Sequence, residues 1–129
     1  MAPLSAQNDQ TIWDGVFTEP QAARGREHYV ETCGYCHRDD LSGGGSEAGA
    51  PALAGPFFMN QWRGRPVADL FVTIGTTMPK QNPDSLRAQV VIDIVSFLLQ
   101  ANHAPVGDQE LPPRLEPLGS ILLTAAPRR

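Results

Sequence analysis

The 129 residues suffice for one ordinary domain and not for two. With 12 Gly, 12 Pro and only 7% aromatics, the chain is loop-rich and its own side chains are expected to make a small core. A formal net charge of -4 argues against non-specific nucleic-acid binding, which needs a basic face, and no run approaches the ~20 apolar residues of a membrane span.

Residues 1–17 are polar with isolated apolar positions, and they read as an arm that docks through Ile12, Trp13, Val16 and Phe17. The first six residues, Met-Ala-Pro-Leu-Ser-Ala, carry neither the basic nor the apolar region of a secretory leader. If the protein is exported, a mature form is therefore expected here. Thr18, with Pro20 in the first turn and Gln21 three positions on, predicts a capping box at the start of a helix over 19–33. Ala22, Gly25, Arg26, Tyr29, Val30 and Cys33 recur at helical spacing. Gly25 costs about 1 kcal/mol inside a helix, so a second helix is expected to cross closely there.

From Asp39 to Phe58 the chain is rich in Gly, Ala and Pro, including Gly43-Gly44-Gly45 and Gly55-Pro56, and reads as one long loop. Arg65-Pro66 then opens a second helix carrying Val67, Leu70, Phe71 and Ile74, with Gly75 expected to stop it. After a loop over 76–80, Pro83-Asp84-Ser85 is expected to cap a third helix running from about Leu86 to Asn102. Its stripe is Val91, Ile94, Val95 and Leu98. Residues 105–129 are proline-rich, with an apolar stretch, Leu118–Thr124, that is expected to pack back on the body. No strand pattern stands out, so the fold class is all-α. The domain plan is an arm over 1–17, a helical domain over 18–107 and an extension over 108–129.

The chemistry lies in Cys33-Gly34-Tyr35-Cys36-His37, the C-x-x-C-H pattern of covalent haem attachment. Thiols at i and i+3 reach the two vinyl groups on one edge of the macrocycle, and the adjacent imidazole is held under the iron as proximal ligand. A thioredoxin-like C-x-x-C needs a βαβ setting that this chain lacks. A structural zinc site needs four ligands, and His28 and His103 do not supply the usual paired spacing. A fortuitous C-x-x-C-H is the remaining alternative. A haem would also supply the missing core volume.

An electron-transfer haem with one histidine needs a sixth ligand, and Met1, Met59 and Met78 are the only thioethers. Met1 is terminal, and Met59 follows two phenylalanines as a packing residue would. Met78 lies in a short loop before Pro79, which favours extended backbone, so it is the expected ligand, with core filling as the alternative.

With C-x-x-C-H near the start, Met78-Pro79 downstream and a closing amphipathic helix, residues 18 to about 104 resemble the class I cytochromes c. Ala50-Pro51-Ala52-Leu53-Ala54-Gly55, Trp62, Thr77-Met78-Pro79 and Val91–Asn102 are similar to cytochromes associated with pyrroloquinoline-quinone alcohol dehydrogenases. That resemblance implies three main helices and long loops wrapped around one covalent haem c. Pro51 matches the proline whose carbonyl accepts the Nδ1–H of the haem histidine, and Leu53 matches a residue pressed on the haem. Trp62 matches a position beside a propionate, with packing alone as its alternative. Gly25 and Phe97 match a close helix crossing. Where the relatives continue Asn-Gly after the last helix, this chain has Asn102-His103.

The resemblance implies a monomeric, periplasmic one-electron carrier rather than an enzyme, fed by a quinoprotein alcohol dehydrogenase or serving a terminal oxidase or nitrogen-oxide reductase. Its partners would be redox proteins. A haem gas sensor or peroxidase-like protein would need a distal His or Arg, which is not evident. A structural subunit would have no use for a methionine ligand.

Overall fold

A computed structural model describes residues 10–44 and 49–125. The start of the arm with Met1, Gly45 and the last four residues lie outside the described residues. The elements run β1 (Gln10–Thr11), α1 (Glu19–Thr32), α2 (Gly34–His37), α3 (Pro56–Trp62), α4 (Val67–Thr77), α5 (Ala88–Ala101), α6 (Leu115–Leu118) and β2 (Ile121–Leu122). The three long helices are those expected, and the class is all-α.

Helix α1 starts at Thr18, whose hydroxyl accepts from the Gln21 backbone N–H at 3.2 Å. The capping box itself does not form. The Gln21 side chain is fully buried and serves the C-terminal segment instead, donating to the Leu111 carbonyl at 3.0 Å and accepting the Leu111 N–H at 2.8 Å. A complete box occurs upstream, where Thr11 and Asp14 cap a 3₁₀ turn over Ile12–Asp14.

Helices α1 and α5 cross at Gly25. A Cβ placed there would lie 1.8 Å from the Asp93 carbonyl oxygen, so only hydrogen fits between the two backbones. Beside the crossing, the Tyr29 and Phe97 rings meet at 5.3 Å, tilted by 50°. Asp93, 3% exposed on α5, is compensated as a buried carboxylate must be. Arg24 Nε donates to it at 3.1 Å and Gln89 at 2.9 Å, while Arg24 also reaches Glu110 at 2.7 Å.

Three boundaries depart from expectation. Pro56–Trp62, whose first residues are expected to be loop, is a helix with Pro56 in its first turn and Phe58 stacked at a tilt on Trp62. Gly75 does not stop α4, which continues to Thr77 and ends where Met78 turns extended (φ -120, ψ 154) ahead of Pro79. Pro83-Asp84-Ser85 is a turn with Asp84 at φ 63, not a cap, so α5 begins at Ala88.

The arm and the C-terminal segment meet in a two-residue parallel ladder, Gln10 with Ile121 and Thr11 with Leu122, which the sequence did not suggest. Ile12, Phe17, Leu111, Leu118 and Leu123 are buried in one cluster with Phe58, Trp62, Val67, Leu70 and Leu99. Leu123 also clasps the α3–α4 turn through its N–H to the Arg65 carbonyl and its carbonyl from the Gly64 N–H, both at 2.8 Å.

Candidate haem-binding site

An apolar cleft opens between α1, α4, α5 and the segment 49–53. Every sequence-predicted site residue lies on its wall: Cys33, Cys36, His37, Pro51, Leu53, Trp62 and Met78. Ile74, Ile94 and Leu98 supply further apolar lining. Met59, half-buried against the main core, is not among the described residues lining the cleft. His28 is half-buried on α1 and His103 is exposed beyond α5. Neither lines the cleft.

The short helix α2 carries the motif. Cys33 closes α1, its N–H donating to the Tyr29 carbonyl at 2.7 Å, and the His37 N–H returns to the Cys33 carbonyl at 3.0 Å. This one turn puts both sulfurs and the imidazole at the same end of the cleft. Burial, aided by Cys36, pushes the Cys33 thiol up to about 11. A redox-active C-x-x-C needs the opposite shift, towards thiolate, so the environment disfavours the thioredoxin alternative.

His37 is 6% exposed, and its Nδ1 lies 2.8 Å from the Pro51 carbonyl. A carbonyl only accepts, so Nδ1 is the donor here and Nε2 is the nitrogen left for a metal. Backbone bonds hold Pro51 there: Gly43 N–H to the His37 carbonyl (2.9 Å), Gly44 N–H to Ala50 (2.8 Å) and Leu53 N–H to Leu41 (2.9 Å). Gly43, at φ 81, is required, because a Cβ would fall 2.6 Å from the Ala52 nitrogen.

Two further residues contribute that no sequence motif singles out. Asn102, 5% exposed, accepts the Gly55 N–H at 2.9 Å and donates to the Leu53 carbonyl at 3.1 Å and the Leu98 carbonyl at 2.8 Å. It ties the end of α5 to the loop that delivers Leu53. Tyr29, fully buried, donates its hydroxyl to the Arg38 carbonyl at 2.6 Å. Burial raises the Tyr29 phenol well above its ordinary value, so it stays a donor. A polar residue in the closing helix and a tyrosine four before the first cysteine were the available signals.

Trp62 is 6% exposed, and the Arg65 guanidinium stacks over its ring at 4.4 Å while pairing with Asp69 at 3.1 Å. Arg65 is thereby engaged outside the cleft. The residues fit a haem: an apolar slot, an imidazole with Nε2 left for a metal, a thioether, and two thiols at one edge.

A helical fold that gathers these groups round one cleft is that of a class I c-type cytochrome, an electron-transfer protein built for haem. The chain belongs to the family described as "Cytochrome C oxidase, cbb3-type, subunit III", whose model matches residues 20–98. Among solved structures it is similar to the crystal structure of the sulfane dehydrogenase SoxCD from Paracoccus pantotrophus. The TM-score is 0.57 and the identity 21% over 86% of this chain, a likeness of fold. The chain spans 61% of the length of that structure's chain. No curated protein matches the sequence. Among the described residues no helix is long and apolar enough to cross a membrane.

Proposed function

We propose that the protein is a periplasmic one-electron carrier holding a single haem c by thioether bonds at Cys33 and Cys36, with His37 and Met78 as axial ligands. The observation that supports this is the placement of His37 and Met78 on one apolar cleft, with the two cysteines beside the histidine, while Met59 is not among the described residues lining that cleft. Bound there, the haem would supply a reversible one-electron Fe(III)/Fe(II) couple, shifted towards the reduced state by a thioether ligand and an apolar surround.

The chain's own residues divide the remaining work. Pro51 fixes the His37 tautomer and ring, as outer partners of metal-bound histidines do. Leu53, Leu70, Ile74, Ile94 and Leu98 keep water from the slot. Trp62 would lie by a propionate, its ring held by Arg65. Tyr35, 77% exposed between the two cysteines, marks the edge at which partners would exchange electrons through a small, transient interface.

The resemblance to cytochromes of quinoprotein alcohol dehydrogenases supports such an enzyme as donor, since it must hand on two electrons singly. The family description favours a terminal oxidase as acceptor. Lys80 is the only Lys, Arg, Asp or Glu among the described residues lining the cleft, so steering would come from charges further out, such as Arg38, Asp39 and Asp40.

Met78→Ala should abolish the weak far-red band of an iron–thioether bond and lower the potential, while Met59→Ala should leave both unchanged. Loss of the band in the Met59 variant instead would overturn the ligand assignment. Stopped-flow reduction by a quinoprotein alcohol dehydrogenase should be fast and slow with rising salt. Slow reduction at every ionic strength would remove that donor and leave a carrier for another pathway.

A further inference from the structure

The residue after His37 has an unusual backbone. Arg38 sits at φ 68, ψ 150, a region populated almost only by glycine, where a side chain is strained and persists only under firm restraint. Leu41, three residues on, is also left-handed at φ 65. Three bonds restrain the turn. The Arg38 N–H donates to the Gly34 carbonyl at 2.7 Å, the Leu41 N–H donates to the Arg38 carbonyl at 3.0 Å, and the Tyr29 hydroxyl donates to that same carbonyl at 2.6 Å. The last bond joins a long helix, α1, to the turn.

Packing alone does not call for the hydroxyl. Tyr29 lies in an apolar cluster with Leu41, Ile94, Phe97 and Leu98, and a phenylalanine ring would fill the same space. The polar atom is aimed at a single acceptor on the residue that leaves the haem-binding motif.

We propose that the Tyr29 hydroxyl is a positioning group for His37: by holding the Arg38 carbonyl it fixes the backbone on the C-terminal side of the histidine, and so the plane of the imidazole. His37 is then held at two points, its ring by the Pro51 carbonyl and its main chain by the Tyr29–Arg38 bond and by the Gly43 N–H on its own carbonyl. Without the Tyr29 bond the main-chain point is weakened, and the plane of the ring can shift about its bond to Pro51. The proposal rests on His37 being an iron ligand.

The test uses full-length holoprotein and compares Tyr29→Phe with Phe97→Leu, which loosens the same helix interface without touching Arg38. The readouts are the hyperfine-shifted haem methyl resonances of the oxidised protein, which report the plane of the axial imidazole, and amide exchange at Leu41 and Gly43. Tyr29→Phe should keep its haem, change the spread of methyl shifts and speed exchange at both amides up to roughly tenfold, the worth of one hydrogen bond. Phe97→Leu should lower stability and leave the methyl pattern intact. An unchanged pattern and unchanged exchange in Tyr29→Phe, or the same change in Phe97→Leu, would overturn the positioning role. A parent protein with no covalent haem would overturn the functional reading and this proposal with it, so the two failures are separable.

Discussion

Gly25→Ala tests the crossing on which the haem cleft is built. The added Cβ would lie 1.8 Å from the Asp93 carbonyl oxygen and 2.4 Å from its carbon, against the 3.0 Å that real Cβ atoms keep. Both sides of the clash are backbone, so no side chain can swing aside, and α1 must move from α5 by more than an ångström. Overpacking of this kind costs typically ~1–3 kcal/mol. The separation also loosens the Tyr29–Phe97 contact and the bonds to buried Asp93, a further loss of about 1 kcal/mol. Alanine's better helix propensity returns about 1 kcal/mol. The net expectation is a loss of about 2 kcal/mol, or a fall in Tm of roughly 8 °C for a domain of this size. Gly75→Ala is the internal control. Its Cβ would meet only Val91 methyls at 3.9 Å, an ordinary contact, so propensity should stabilise it by up to about 1 kcal/mol. Thermal melts of both holoproteins, followed by far-ultraviolet dichroism, give the comparison. A Gly25→Ala protein as stable as its parent would refute the close crossing.

Two further outcomes follow from the loop contacts. Asn102→Ala should destabilise by about 2–3 kcal/mol in denaturant titration, because the Gly55 N–H and the Leu53 carbonyl lose their partner. Asn102→Asp should restore only the bond to the Gly55 N–H. His103→Gly should stabilise by up to about 1 kcal/mol, since His103 sits at φ 78 where a Cβ is unfavourable, and its ring is exposed. A melt that falls on this change would mean the imidazole makes a contact worth more than the strain.

Much of the fold was legible because its signals are local and periodic. The stripes of the long helices, Thr18 as a cap and Gly25 as a crossing each follow from one short stretch of sequence. That Cys33, Cys36 and His37 share one wall was legible because they lie within little more than one helical turn, and Met78 stood out because Pro79 favours extended backbone before it. What was misread depended on context. Gly55-Pro56 reads as a loop, yet proline suits the first turn of a helix, and seven residues are too few to show a period. Gly75 breaks a helix only where the chain has reason to turn, and here it turns at Met78-Pro79. Gln21 had two uses open to it, a reciprocal cap or a clasp on Leu111, and only the packing of the C-terminal segment decides between them. The two-residue ladder of Gln10–Thr11 with Ile121–Leu122 joins segments far apart in the chain and leaves no pattern in either. The low aromatic count also understated the core, which aliphatic residues of the arm and the C-terminal segment enlarge.

Covalent attachment of one haem at Cys33 and Cys36 is tested most directly by mass analysis of the protein produced with export and haem-ligation machinery. The intact chain should carry the mass of one haem after acid–solvent extraction, with that mass localised to the proteolytic fragment containing Cys33-Gly34-Tyr35-Cys36-His37. A chain at its bare polypeptide mass, with all the haem in the solvent or none bound at all, would contradict it.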